Sequence, residues 1–156
     1  MKRKFIEYDL PLEEISKESA HEKHVHIGLP PQFHIWWARR PLSSSRATIL
    51  AALLDDPGKE NPERRKKYTN LIQKVSDWEI SRNNNLGLIK KIRKTINEQY
   101  EGESPKILDP FSGGGSIPLE SLRLGAKTYA SDYNPVAVLV EKATLEWPQK
   151  FGIEIE

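Results

Sequence analysis

The chain has 156 residues, a length that accommodates one domain with a modest core. Hydrophobic side chains make up 37% and charged ones 29%, mean hydropathy is −0.63, and 24 basic against 22 acidic residues leave a formal charge of only +2. Bulk charge therefore points to neither nucleic acid nor membrane, and the absence of cysteine excludes disulfides, thiolate metal sites and cysteine redox chemistry.

No apolar run approaches the roughly 20 residues needed to span a bilayer, and residues 1–9 alternate charged with apolar side chains instead of forming a signal-peptide core, so a cytoplasmic protein is expected. Residues 1–31 begin with Phe5, Ile6, Leu10 and Leu12 and become a polar stretch holding His21, His24 and His26. That stretch is read as a polar connection with partly solvated histidines. It lacks His-Glu-x-x-His spacing and any cysteine, so no metal site is assigned to it.

In residues 32–57 the run His34-Ile35-Trp36-Trp37-Ala38-Arg39-Arg40-Pro41 precedes a helix over residues 43–54. Ala47, Leu50, Ala51 and Leu54 recur there at helical spacing, Ser43 or Ser44 can cap the start, and Asp55-Asp56-Pro57-Gly58 ends it. Residues 59–99 are charge-rich. Tyr68, Leu71, Ile72, Val75 and Trp78 form one apolar stripe and Ile89, Ile92 and Ile96 another, with Asn83-Asn84-Asn85 between them, which predicts a helical hairpin whose basic residues face water, a DNA-contacting face being the alternative.

After a polar linker over residues 100–105 the pattern becomes α/β. Lys106-Ile107-Leu108 is a short strand ending at Asp109, residues 116–124 a helix with Gly125 at its left-handed end, residues 128–131 a second strand and residues 135–145 a second helix. The expected organisation is thus a mainly helical region over residues 1–105, carrying the tryptophan segment, and a βαβα unit over residues 106–156. The fold class is α/β, with the first βαβα of a parallel, Rossmann-like sheet.

The loop Asp109-Pro110-Phe111-Ser112-Gly113-Gly114-Gly115-Ser116 lies between the first strand and a helix. Glycines there allow positive φ and close approach of a ligand, and the helix start offers unpaired N–H groups to an anion. Asp132, ending the second strand, is placed like the acids that accept hydrogen bonds from a ribose diol. Asp109 disfavours a phosphate at the mouth of the loop and favours a cationic amine. S-adenosylmethionine combines an amine, a carboxylate, a ribose and an adenine that could lie against Tyr133 or Pro135. A tight turn with no ligand is the plain alternative.

Asp109 to Glu120 together with Ala130-Ser131-Asp132-Tyr133-Asn134-Pro135 resembles motifs I and II of amino-group methyltransferases. With His34 to Leu42 and Ser45-Arg46-Ala47 upstream, the chain resembles the amino-terminal part of the DUF1156 group of adenine-specific DNA methylases. The resemblance runs from Phe33 to Trp147 and implies a Rossmann-like methyltransferase fold, S-adenosylmethionine as cofactor and DNA as partner. It makes Asp109, Phe111, Gly113, Gly115 and Asp132 cofactor contacts, to which the residue reading adds Tyr133. RNA is an alternative substrate, because RNA guanine-amino methyltransferases share similar motifs.

The tryptophan segment has three readings. Trp36 and Trp37 can be core anchors beside snorkelling arginines. As in related methyltransferases, residues 34–41 can close over the methionine end of the cofactor. Alternatively Arg39, Arg40 and Arg46 meet DNA phosphates while a tryptophan stacks on a base. His34 belongs to the same candidate set.

The Asp/Asn-Pro-Pro-aromatic tetrapeptide that holds the target amine in the families resembled does not occur in these 156 residues. Asn134-Pro135-Val136 lacks the second proline, and Leu29-Pro30-Pro31-Gln32 lacks the acid or amide. No catalytic residue is assigned. The expectation is the cofactor-binding part of a split or truncated methylase, completed by a second polypeptide or by self-association; a noncatalytic remnant that binds cofactor or a partner is the competing reading.

Overall fold

The computed structural model describes residues 3–24, 34–83 and 85–152. Helices α1 (Leu12–His24), α2 (Leu42–Leu53), α3 (Pro62–Ser76), α4 (Ile80–Asn83) and α5 (Leu86–Gln99) precede strand β1 (Lys106–Asp109). Helix α6 (Ser116–Arg123), strand β2 (Lys127–Ala130) and helix α7 (Pro135–Glu141) follow; a π-helical stretch, Lys142–Glu146, then carries α7 into α8 (Trp147–Phe151). β1 and β2 pair in parallel with Lys106 opposite Lys127 and Asp109 opposite Ala130. This is the mixed α/β class expected, a partial Rossmann-like arrangement behind a mainly helical region. Among the described residues no helix is long and apolar enough to cross a membrane.

α2 is the centre of the molecule. Leu42, Ser43, Ser45, Arg46, Ala47, Ile49, Leu50, Ala51 and Leu53 are all buried, so it has almost no solvent face, as a helix surrounded by others must. α1, α3 and α6 pack on it. Ile89, Ile92 and Ile96 of α5 enter the same core, which extends to Leu124 and to the partly buried Ile107 and Ile117. The βα unit is therefore covered on one face by the helical region. The other face is open: Leu108 is 69% exposed beside its partner Tyr129.

Four local features differ from the sequence reading. Residues 12–24, expected as a polar connection, form α1: its buried side chains are Ile15 and Glu22, too thin a stripe to read as amphipathic, and its hold comes from packing on α2 and α3. The expected Ser43 or Ser44 cap of α2 is absent. Instead the Glu22 carboxylate accepts from Leu42 N (2.7 Å), Ser43 N (2.8 Å) and Ser43 Oγ (2.6 Å), an N-terminal cap delivered from 20 residues upstream. α3 stops at Ser76, before Trp78, which rests on His21 with ring centroids 5.0 Å apart. α3 packs on α2 and α1, and an open polar cleft lined by Arg64, Tyr68, Thr95 and Gln99 lies between α3 and α5, for which a helical hairpin was expected.

The cause of the early stop is Arg46. Its guanidinium is wholly buried and donates to the carbonyls of Val75 and Asp77, to Ser81 Oγ (3.1 Å) and to Glu120 Oε2 (3.1 Å). Two carbonyls at the end of α3 are thus bent toward one cation. Arg123 Nε approaches the same Glu120 oxygen at 3.1 Å. Burial pushes the Glu120 carboxyl up from its ordinary value while Arg46 and Arg123 pull it down. Removing one partner of a buried pair typically costs about 3–5 kcal/mol, because the other charge stays desolvated. Arg46→Ala should lower the unfolding free energy from urea denaturation by about that amount, and adding Glu120→Gln should recover part of it; strict additivity would show that the two groups are not coupled.

Candidate cofactor site

The glycine loop leaves the carboxyl end of β1 and meets the carboxyl end of β2, the place where open parallel sheets bind ligands. The two strand ends are laced together. Ser131 N donates to Asp109 O (3.0 Å), Ser112 N to Ser131 O (3.1 Å), and Ser131 Oγ to Pro110 O (3.3 Å). Asp109 Oδ1 accepts from Phe111 N at 3.3 Å. Gly115 closes the loop in the left-handed region at φ +76° and begins α6. At the other end of α6, Gly125 at φ +90° donates to Leu122 O while Ala126 N donates to Ser121 O, the left-handed helix stop expected there.

Asp132 is bound into this frame. Oδ2 accepts from Gly113 N (2.8 Å) and Oδ1 from Asn134 N (2.8 Å). The backbone donors at Asn134, Gly113 and Tyr133 hold its carboxyl below the ordinary aspartate value. It is an ionised acceptor with lone pairs beyond the two used by the backbone, since a carboxylate offers about four sites. Tyr133, 99% exposed, and the exposed Phe111 project beside it, one from each strand end.

The tryptophan segment reaches the same loop. A Cβ on Gly113, at φ +54°, would lie 2.7 Å from Trp36 Nε1, and one on Gly114 would lie 3.2 Å from Trp36 Cβ and 3.5 Å from Arg39 Nε. Glycine at 113 thus answers both backbone conformation and the close approach of an indole. Trp37 stacks on Trp36 with centroids 4.6 Å apart and 17° between planes, and is itself 80% exposed.

Residues 9–80 match the family model described as a protein of unknown function, DUF1156. The match covers a little under half of the chain. Comparisons with curated proteins and with solved structures return no match. The DUF1156 segment contains α1, the tryptophan run, α2 and α3; the glycine loop and Asp132 lie beyond it.

Within the DUF1156 segment the candidate residues separate. Trp36 and Arg39 lie on the glycine loop, and Arg39 also donates to the His34 carbonyl (3.2 Å), with burial lowering its guanidinium below the ordinary value. His34 is half-buried, its ring 6.2 Å from Trp36. Arg40 is exposed at the rim of an apolar groove of about 380 Å3 bounded by α2, Ile107 and Ile117. Arg46 is corrected outright: it is a core residue whose donors serve α3, α4 and α6, which leaves it no route to a phosphate. His26 lies outside the described residues, as do Pro30 and Pro31.

One site residue escaped the sequence reading. Glu141 contacts Ser112 of the glycine loop from behind, through Glu141 Oε1 and Ser112 Oγ. Nothing in the sequence ties Glu141 to a serine 29 residues earlier, because the crossover through α6 and β2 makes the contact.

Gly113→Ala should destabilise the chain by more than about 1 kcal/mol in urea denaturation, from the left-handed φ and the collision with Trp36. In Trp36→Ala the same substitution should cost measurably less; equal costs would mean that the indole does not lie on Gly113. Asp132 should also shape the acid limb. Its folded value is depressed, so its contribution is present above the ordinary aspartate value, about 3.9, and is lost as pH falls through the depressed one. Asp132→Asn should flatten that part of the stability profile, and an unchanged acid limb would contradict the backbone hydrogen bonds.

Proposed function

We propose that the chain binds S-adenosylmethionine over the glycine loop and forms the cofactor-binding part of an amino-group methyltransferase, with adenine in DNA as its target class. The observation that carries this reading is the meeting of Gly113 with the Asp132 carboxylate at the carboxyl ends of two parallel strands.

The residues suit this cofactor better than a dinucleotide. Asp109 and Asp132 flank the loop, and their like charge repels a pyrophosphate. Asp132 would accept from the ribose hydroxyls, Asp109 would face the amino group, and Gly113 and Gly115 would let the backbone approach. Phe111 and Tyr133 offer exposed aromatic faces to the adenine. Trp36 and Arg39 would border the ligand from the DUF1156 segment. S-adenosylmethionine supplies an electrophilic methyl group. These residues bind, orient and shield; the site that holds the target amine, and further strands of the sheet, would come from polypeptide outside these 156 residues. The open face at Leu108 and Tyr129 and the groove beside Ile107 leave room for such additions.

Calorimetric titration with S-adenosylmethionine and with its demethylated product tests the reading. Saturable binding is expected, weakened tenfold or more, about 1.4 kcal/mol, in an Asp132→Ala variant that keeps its circular dichroism spectrum. A folded chain that binds neither compound, or a variant that binds as well as the parent, would overturn it.

A further inference from the structure

The second carboxyl behind the glycine loop has no part in the cofactor contacts above. Glu141 is 7% exposed, and its Oε1 meets Ser112 Oγ. Ser112 Oγ also lies 2.8 Å from the Ser131 carbonyl oxygen. A hydroxyl has one proton to give, and a carbonyl has none. The Ser112 proton therefore bridges the contact with Ser131, and the contact with Glu141 needs a proton that belongs to Glu141. Were Glu141 ionised, the hydroxyl would turn to it and leave two oxygens 2.8 Å apart with no proton between them.

The surroundings favour the same arrangement. Burial raises the Glu141 carboxyl, and Asp132 and Asp109 add to the rise through their negative charge; a bond donated by Ser112 would act the other way. Besides these acids, the charged groups lining the groove next to Glu141 are Lys127 of β2 and Lys142 and Glu146 of the π-helical stretch. Both lysines are exposed and screened by water. Asp132 meanwhile is kept ionised by backbone N–H groups. One loop thus holds two carboxyls pushed in opposite directions from their ordinary values, the pattern by which a site separates two acids.

We propose that Glu141 is a positioning residue: as the neutral acid it donates to Ser112 Oγ, which donates to the Ser131 carbonyl, and this chain of bonds fixes the glycine loop against the end of β2 in the form that meets the cofactor. Its bearing on the cofactor rests on the proposed function, whereas its hold on the loop does not. The sign follows from a raised folded value. The contribution of Glu141 is complete below the ordinary glutamate value, about 4.3, and is lost as pH rises through the raised one.

The test uses the full chain with carbon-13-labelled glutamate, following carboxyl carbons and the amide signals of Ser112 and Gly113 by NMR as a function of pH. The Glu141 signal is identified by its absence in Glu141→Gln. We expect Glu141 to titrate above the exposed glutamates, with the two loop amides following it. In Glu141→Gln, whose amide can still donate to Ser112, the loop amides should keep their low-pH positions throughout. In Ser112→Ala the carboxyl should titrate without moving Gly113. A Glu141 that titrates together with the exposed glutamates, or loop amides indifferent to it, overturns the proposal. In parallel, binding of the demethylated cofactor should weaken about tenfold as pH rises through the Glu141 titration in the parent and hold constant in Glu141→Gln; pH-independent binding by the parent overturns the positioning role. Absence of binding at every pH, with the neutral acid observed, overturns the cofactor reading and leaves the loop contact standing.

Discussion

A single buried guanidinium organises this molecule. Arg46 stands on the central helix and reaches in three directions, to the end of α3, to α4 and to Glu120 on α6. A cation without solvent must satisfy every donor within the protein, and here that requirement fixes where α3 stops and how α6 lies against α2. α6 in turn starts from the glycine loop, so its placement sets the height and tilt of the loop over the sheet. The chemistry of the candidate site is thereby tied to a residue that never reaches it.

The loop itself is held by a second set of polar contacts, made mostly by backbone groups. Ser112 and Gly113 turn their N–H groups toward Ser131 and Asp132, which binds the end of β1 to the end of β2 beyond the four-residue ladder. Trp36 then lies on the glycines from the DUF1156 segment. A βα turn without these contacts would be an ordinary tight connection. With them it becomes a rigid cradle whose acids are fixed in place, one ionised by backbone donors and one shielded from water. Such preorganisation reduces the ordering that a ligand must impose on binding.

The two-stranded sheet is asymmetric. Ile107 faces the helical core while Leu108 and Tyr129 face outward, so only one side of the parallel pair is covered. Parallel sheets are stable when both faces are covered. Exposed Phe111, Tyr133, Val136 and Leu139 continue the apolar surface around the site.

The sequence by itself determined the parts governed by local periodicity and by residue chemistry. The α2 stripe, the isoleucine spacing of α5, the strand–glycine loop–helix–strand order and the left-handed stop at Gly125 all appear in the structure, because each depends on neighbours within a few positions. The pairing of Gly113 with Asp132 was foreseeable in kind, since a glycine loop and an acid one strand later must converge in a parallel crossover. Tertiary structure alone decided the rest. Glu22 caps α2, Arg46 enters the core and Glu141 meets Ser112 across separations of 20 to 74 residues, which no periodic signal records. Arg39, Arg40 and Arg46 look alike in sequence, yet one lies on the loop, one faces solvent and one is buried. The physical reason is that a charge is cheap in water and costly inside unless partners converge on it, and only the fold determines where partners converge.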